Sequence, residues 1–395
     1  LISATPLNNS PNDIYAQLCL FQRPNKSTFA NAKNLTTYFN QLNANLNGLN
    51  RQENKEEYIK VVKSNSEKIR RDILREVMVR RTRSDIEKYF SKDLEKKGLN
   101  FLEVNDPIAI NYEFNPKLNK LFEDTLEKIA RNLKYARYMP LLYLTEPDPE
   151  VKAPQTNMGK FMKMLLVKRL ESSFFAFKMS IKRFIKSYEY FIKAIEEDGY
   201  VYFSKKDMDK VFEYLENDDE ESMEKLLKEN KAERKKAELF DDQLLIDLKN
   251  DLDILQEIER DWLYLEDDPK LSKFENILYH DENLKNKIIV FTESKETAEY
   301  ITNKLNPIFD NKVLCFTGSS NESLRKTVID NFDAKARIPK DDYRIIVTTD
   351  VLAEGVNLHQ SNVVINYDIP WNPTKMMQRV GRVQRVGSEF KEVYI

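Results

Sequence analysis

The sequence predicts an α/β fold. A parallel-sheet domain stands at its C-terminal end, preceded by a large, coiled-coil-like helical region and a mostly helical beginning. Two observations carry this. After residue 286, four short β-rich apolar runs alternate with amphipathic stretches: KIIVFT (287–292), KVLCFT (312–317), RIIVTT (344–349) and NVVINYD (362–368). Continuous apolar strands between amphipathic helices are the pattern of a parallel sheet covered on both faces. In the middle of the chain, Leu170, Phe174, Phe177, Ile181, Phe184, Tyr188, Phe191 and Ile195 follow at alternating four- and three-residue steps, which is a heptad seam.

The elements follow in order. Residues 1–106 are helical in pattern and rich in Asn and Lys, with a boundary expected near Asp106-Pro107. The helical region is expected over 107–275, with a break at TEPDPEVKAP (145–154) and one long helix beginning near Met158. Leu245, Leu248, Leu252, Leu255 and Trp262 repeat the seam rhythm, so a helical arm, an antiparallel pair or an ordinary buried bundle all fit. From 276 to 395 the strands alternate with helices at 294–305, at 321–332 and after WNPT (371–374). Ser294 and Asn321 stand where N-caps belong.

Charge is segregated within a net −2. Nine Lys/Arg stand against two Glu between Met158 and Ile195, and 21 acids against eight bases between Glu213 and Asp268. The basic stripe of Lys168, Arg169, Lys178, Lys182, Arg183 and Lys186 fits either duplex phosphates or the acidic segment 213–268. With two cysteines and two histidines, neither a disulfide framework nor a zinc site is expected, and no metal ligands are assigned. No apolar run reaches membrane-spanning length. A reducing, cytoplasmic setting is expected. The chain opens on LISATP without an initiator Met, which suggests an excised fragment.

Chemistry is concentrated in four short stretches. QRVGRVQRVG (378–387) sets Arg379, Arg382 and Arg385 at three-residue steps, on roughly one helix face, with Val380 and Val383 available to anchor it. TTDVLAEGVNL (348–358) ends a strand in Thr348 and Thr349, whose hydroxyls and N–H groups suit a phosphate; Asp350 can cap the next turn, and Gly355 suits a positive φ. KIIVFTESKETAEYI (287–301) places Thr292 at a strand end, and FTGSS (316–320) places Thr317 and Gly318 at another. SATP occupies residues 3–6. No GxxxxGK[ST] phosphate loop is present, and Asp281-Glu282 is not a magnesium-binding acidic motif in the right place.

Those four stretches, in that order and spacing, resemble motifs III, IV, V and VI of superfamily-two helicases. NYDIPWNPTKMMQRVGR makes the chain similar to the SNF2 and bacterial RapA-like branch. The resemblance covers the last ~110 residues densely and the first ~85 thinly. It implies a RecA-like C-terminal domain (276–395), a helical insertion (107–275) and the tail of a first RecA-like domain (1–106). It implies Arg382 and Arg385 as catalytic arginines acting on the γ-phosphate of ATP, with Glu354, Gly355, Gln378 and Gly381 at the nucleotide. Thr292, Thr317, Gly318, Thr348, Thr349 and Arg379 would lie along nucleic acid. Ser3, Thr5, Arg80 and Arg81 would couple the domains. ATP and Mg²⁺ would be cofactors of a parent protein moving on double-stranded DNA, and the present chain, lacking the phosphate loop, would be inactive alone. An RNA helicase of the same superfamily, or a scaffold binding a partner such as RNA polymerase, are the alternatives.

Overall fold

A computed structural model describes residues 11–46, 49, 54–79, 82–97, 101–146, 149–203, 234–353, 355–385 and 388–395. The chain divides into two compact units, Leu1–Gly98 and Leu99–Ile395.

The first unit is helical: α1 (Pro11–Cys19), α2 (Leu35–Ala44), α3 (Lys55–Ile69), which runs through a π-helical turn into the short α4 (Arg75–Val77), and α5 (Arg83–Lys96). Asn34 caps α2 by accepting from the Thr37 N–H, and Thr82 with Asp85 forms a reciprocal capping box at α5. Ile14, Leu18, Phe29, Leu35, Phe39, Leu42, Ile69 and Ile73 make its core.

The second unit opens with β1 (Glu103–Val104), then α6 (Pro116–Glu127), α7 (Pro149–Ser172) and α8 (Phe174–Asp198). Strands β2 (Tyr200–Tyr202) and β3 (Arg234–Lys236) pair antiparallel, and α9 (Gln243–Leu263) and α10 (Pro269–His280) follow. The seam from Leu170 to Phe191 is buried as its spacing requires, but the single helix expected there is two. Ser173 is extended (φ −159°, ψ 153°) and caps α8 by accepting from the Ala176 N–H, so the chain turns an elbow between α7 and α8.

Helices α8 and α9 run antiparallel. Phe177 meets Trp262 (ring centroids 5.2 Å), Tyr188 donates to Asp251 (3.0 Å) and Lys249 pairs with Glu196 (2.7 Å). The pair sits inside a buried bundle rather than forming a free arm. Its apolar core is continuous with residues 118–144, and Trp262 donates its indole N–H to Thr125 at 2.8 Å. Asp251, fully buried, also accepts the N–H groups of Lys134 (2.6 Å) and Ala136 (2.9 Å), fixing a turn in which Tyr135 is left-handed (φ 59°). Burial raises the Asp251 pKa against these three donors.

The sheet comprises β4 (Ile288–Phe291), β5 (Val313–Phe316), β6 (Ile345–Thr348) and β7 (Val363–Asn366), parallel throughout in the order β5-β6-β4-β7. Ile288 lies in register with Ile345 on one side and Val363 on the other. Between the strands run α11 (Lys295–Leu305), α12 (Glu322–Phe332) and α13 (Pro373–Val383), each within a residue or two of the sequence expectation. Ser294 and Asn321 cap α11 and α12 as expected, accepting from Thr297 and Leu324. Ile289, Phe291, Leu314 and Ile346 pack with Val328, Phe332, Val380 and Val383 on one face. Ile288, Val290, Ile345 and Val347 pack with Leu271, Phe274, Ile301 and Leu305 on the other. Both faces are therefore covered, the reason these strands read as unbroken apolar runs. A short β8 (Glu392–Val393) pairs parallel with β1, and Tyr394 bridges to Val363 on the β7 edge. No helix among the described residues is long and apolar enough to cross a membrane.

Candidate functional site

Because the four strands are parallel, Thr292, Thr317, Thr348 and Asn366 emerge on one edge of the sheet. In open α/β sheets that carboxyl edge is where ligands bind.

Helix α13 is fastened to this edge through Arg379, whose side chain is completely enclosed. Its Nε donates to Asp350 Oδ1 (2.7 Å), Nη1 to Asn366 Oδ1 (2.8 Å) and Nη2 to Glu293 Oε1 (3.3 Å), while the guanidinium lies 5.1 Å from the Phe291 ring. One turn earlier, Lys375 reaches Asp350 Oδ2 (2.9 Å) and Glu293 Oε1 (3.4 Å). A planar five-donor fork suits three acceptors arriving from three loops. Arg379, expected along nucleic acid, is thus an internal strut that joins α13 to the ends of β4, β6 and β7.

The electrostatics follow from this crowding. Burial pushes the Asp350 carboxyl up, but Arg379 and Lys375 outweigh it and hold the pKa below the ordinary value. Burial raises Glu293, with Asp350 and Asp368 adding to the rise against Lys375 and Lys168. For Lys375, burial lowers the pKa, but Asp350 and then Glu293 raise it overall. The helix-capping role open to Asp350 in the sequence does not hold. Thr349 precedes the short turn, and the Asp350 carboxylate is engaged by α13.

A second polar cluster joins the α7–α8 elbow to the same edge. Asp368 accepts the hydroxyls of Ser172 (2.6 Å) and Thr292 (2.6 Å) through Oδ2 and the Glu293 N–H (2.7 Å) through Oδ1. Thr297 Oγ1 lies 2.8 Å from both Ser172 Oγ and Ser173 Oγ. Lys270 donates to the carbonyls of Glu171 and Ser172 at 2.8 Å each, closing the α7 C-terminus, and burial lowers its pKa.

The basic stripe is largely engaged here. Arg169 and Arg183 converge on Glu296 (3.5 and 2.9 Å), Lys168 reaches Glu293 (3.7 Å), and Lys178 donates to the Leu265 carbonyl (2.7 Å). Burial raises Glu296, but Arg169 and Arg183 overcome it and lower its pKa. Lys182 and Lys186 remain exposed. Three of the six bases therefore face acids of the sheet domain, a destination neither sequence reading anticipated.

The remaining sequence-assigned residues are dispersed along the edge. The Thr292 and Thr348 side chains are buried, and the Thr348 hydroxyl donates to the Thr349 carbonyl (3.1 Å). Thr317 is buried with its hydroxyl 3.2 Å from Ser319 Oγ, whereas Gly318 is exposed and Thr349 half-buried. Gly355 has φ +78°, as its turn was expected to need, and its carbonyl lies 3.5 Å from Arg325 Nη2. Gln378, Gly381, Arg382 and Arg385 are half-buried on or just beyond α13, and the Arg382 carbonyl accepts the Leu358 N–H (3.0 Å). The Arg385 Nε is buried without a hydrogen-bond partner among the described residues, which suits a phosphate oxygen. Ser3, Thr5, Arg80, Arg81 and Glu354 lie outside the described residues. No group of three acidic, His or Cys side chains able to hold a metal occurs among the described residues.

Sequence reasoning missed Glu293, Asn366, Asp368, Lys375 and Ser172. Four of them carry a recoverable signal. Glu293, Asn366 and Asp368 are polar residues at or just past the end of an apolar run, and Lys375 stands four residues before Arg379, one helical turn away. Ser172 carried none.

Residues 269–387 match the model of the helicase conserved C-terminal domain. The ATP-dependent RNA helicase dbp8 of Botryotinia fuckeliana (strain B05.10) is 34% identical over 116 residues, 29% of this chain and 20% of that protein. An ATP-dependent helicase described as uncharacterized, YqhH of Bacillus subtilis (strain 168), is 34% identical over 109 residues, 28% of this chain and 18% of that protein. The chain spans about a fifth of the length of the curated relatives it matches. A crystal structure of the C-terminal part of the Fun30 ATPase domain aligns over 74% of this chain and 84% of its own, at 18% identity and a TM-score of 0.34, too distant to carry an argument. Residues 269–387 are thus the part of this chain that is similar to the helicase conserved C-terminal domain.

Proposed function

We propose that this chain belongs to an ATP-driven motor that moves on double-stranded DNA, and that it supplies Arg382 and Arg385 to the γ-phosphate of a nucleotide held mainly on another RecA-like domain. The observation behind this is the anchoring of α13. Arg379 ties the helix to three strand ends, and Arg382 and Arg385 follow at three-residue steps from that fixed point, the Arg385 Nε being buried without a hydrogen-bond partner among the described residues. Bound ATP with Mg²⁺ would supply the phosphoryl group transferred to water, and two fixed guanidinium forks would offset the charge spread over its oxygens. Gly318 and Thr349, open at the strand ends, are the proposed contacts to nucleic-acid phosphates, with Gly355, Gln378 and Gly381 nearer the nucleotide. Thr292 and Thr348, whose hydroxyls are engaged internally, would shape those loops rather than touch the polymer.

The choice of DNA rests on the resemblance of DIPWNPTKMMQRVGR to SNF2-like proteins. A second reading, an RNA helicase, is favoured by curated relatives whose names say RNA or rRNA helicase. Strand displacement and ATPase stimulation on DNA and RNA duplexes separate the two, and response to RNA alone would remove the DNA reading. The coding sequence upstream of Leu1 should specify GxxxxGK[ST] and a DExx box; without them the motor reading fails. In the longer protein, Arg382→Ala and Arg385→Ala should each reduce ATP turnover by about 10³–10⁵ with ATP binding retained. Near-normal turnover in both would remove the arginine assignment.

A further inference from the structure

The helical bundle and the arginine-bearing helix share one carboxylate. Glu293 Oε2 faces Lys168 of α7 at 3.7 Å, while Oε1 faces Lys375 and Arg379 of α13 at 3.4 and 3.3 Å. The main chain of Glu293 is tied to the α7–α8 elbow through one intermediary. Its N–H donates to Asp368, and Asp368 in turn accepts the buried Ser172 hydroxyl at the α7–α8 elbow. The bundle therefore reaches Glu293 directly at the side chain and, through Asp368, indirectly at the backbone, and Glu293 in turn meets two residues of α13.

We propose that Glu293 is a positioning residue that transmits displacements of the α7–α8 elbow to α13, so that the bundle sets where Arg382 and Arg385 stand. This rests on the reading in which those arginines act on a phosphate. The physical reason is the sharing itself. A carboxylate whose two oxygens are claimed from opposite sides cannot follow one side without straining the other. The Glu293 side chain keeps only 18% of its surface exposed, so water competes in part, not fully, for a released oxygen. Packed interfaces of this kind convert small shifts into discrete repositioning rather than yielding continuously. A shift of about 1 Å at a catalytic group costs as much as roughly a hundredfold in rate, so modest movement of the elbow suffices to gate turnover.

Hydrogen exchange on this chain tests the relay without any assumption about activity. Lys168→Met keeps the apolar stem and removes the charge, and Ser172→Ala removes the hydroxyl with little change in volume. Each should lower the protection of the α13 amides by about tenfold or more while leaving α6 and α9 unchanged. Glu293→Gln should give the same local loss, and adding Lys168→Met to it should change nothing further. Unaltered α13 protection, additive losses in the double variant, or loss spread evenly over the unit would each overturn the relay. In the longer protein, Lys168→Met should lower kcat for ATP by about tenfold at unchanged KM and unchanged nucleic-acid affinity. If the unsubstituted longer protein hydrolyses no ATP, the motor reading falls, and the exchange results alone still decide for or against the relay.

Discussion

The Arg379 Nε sits 2.7 Å from Asp350 Oδ1, a charge-assisted bond made where the arginine has no exposed side-chain surface at all. Twenty-nine residues separate the two, and the bond closes the edge between β6 and α13. Removing the guanidinium leaves Asp350 and Glu293 bridged by Lys375 alone of the two α13 cations. Arg379→Met should therefore cost about 1–3 kcal/mol in urea unfolding, the range for losing hydrogen bonds to charged, partly buried groups. Arg379→Lys should restore little of it, because one ammonium cannot meet Asp350, Asn366 and Glu293 together. A lysine variant as stable as the parent would show the fork to be unimportant.

Glu296 makes the fold sensitive to acid. Its folded-state pKa is lowered from 4.5 because Arg169 and Arg183 outweigh burial. A lowered carboxylate contributes stability that is present above 4.5 and lost as pH falls through the folded value. Glu296→Gln should be less stable near neutrality and should lose less on acidification below that point. Unfolding midpoints followed across this window check it; parallel curves for the two proteins would count against the pairing.

His359 has the opposite titration chemistry but a slope of the same sign. It is buried with neither ring nitrogen hydrogen-bonded among the described residues, and the nearest carboxylate, Asp333, is 3.6 Å away. Burial lowers its pKa from 6.5, with Asp333 opposing and Lys335 and Arg385 assisting. Between the lowered value and 6.5 the unfolded chain binds more protons, so stability should fall as pH drops through that interval. His359→Gln should flatten this segment of the stability profile, a change that chemical unfolding at closely spaced pH values would resolve.

Gly355 is held at φ +78°, and a Cβ built there would lie 2.9 Å from Arg325 Nη2. The arginine end can swing aside, so most of the penalty is backbone strain. Gly355→Ala should cost about 1–2 kcal/mol, and Gly355→Asn less, since Asn tolerates the left-handed region better. Thermal unfolding would rank the three. Equal losses for Ala and Asn would point to crowding against Arg325 instead.

The sheet domain was legible because its local and global signals coincide. KIIVFT, KVLCFT, RIIVTT and NVVINYD are buried on both faces, so burial leaves an uninterrupted apolar trace in the sequence. Ser294 and Asn321 cap their helices through bonds to residues three positions on, an interaction contained within four residues. Val380 and Val383 mark the buried side of α13 by periodicity alone. The heptad seam was likewise visible, whereas the elbow at Ser173 was not. The hydrophobic rhythm passes through residue 173 without interruption, and the break is stabilised by hydroxyl partners more than a hundred residues away.

The sequence by itself determined the four strands, their helices, the apolar faces and the presence of arginines at three-residue steps. Only the tertiary structure decided which arginine is internal. Periodicity places Arg379, Arg382 and Arg385 on one face, but it cannot say that Asp350, Asn366 and Glu293 converge on the first of them from three separate loops. It also directed Lys168, Arg169 and Arg183 onto Glu293 and Glu296 instead of leaving them as a solvated stripe. The reason is common to all these cases. Burial of an apolar face repeats along the chain and can be read from it, whereas the partner of a buried charge is fixed by chain packing and leaves no local period.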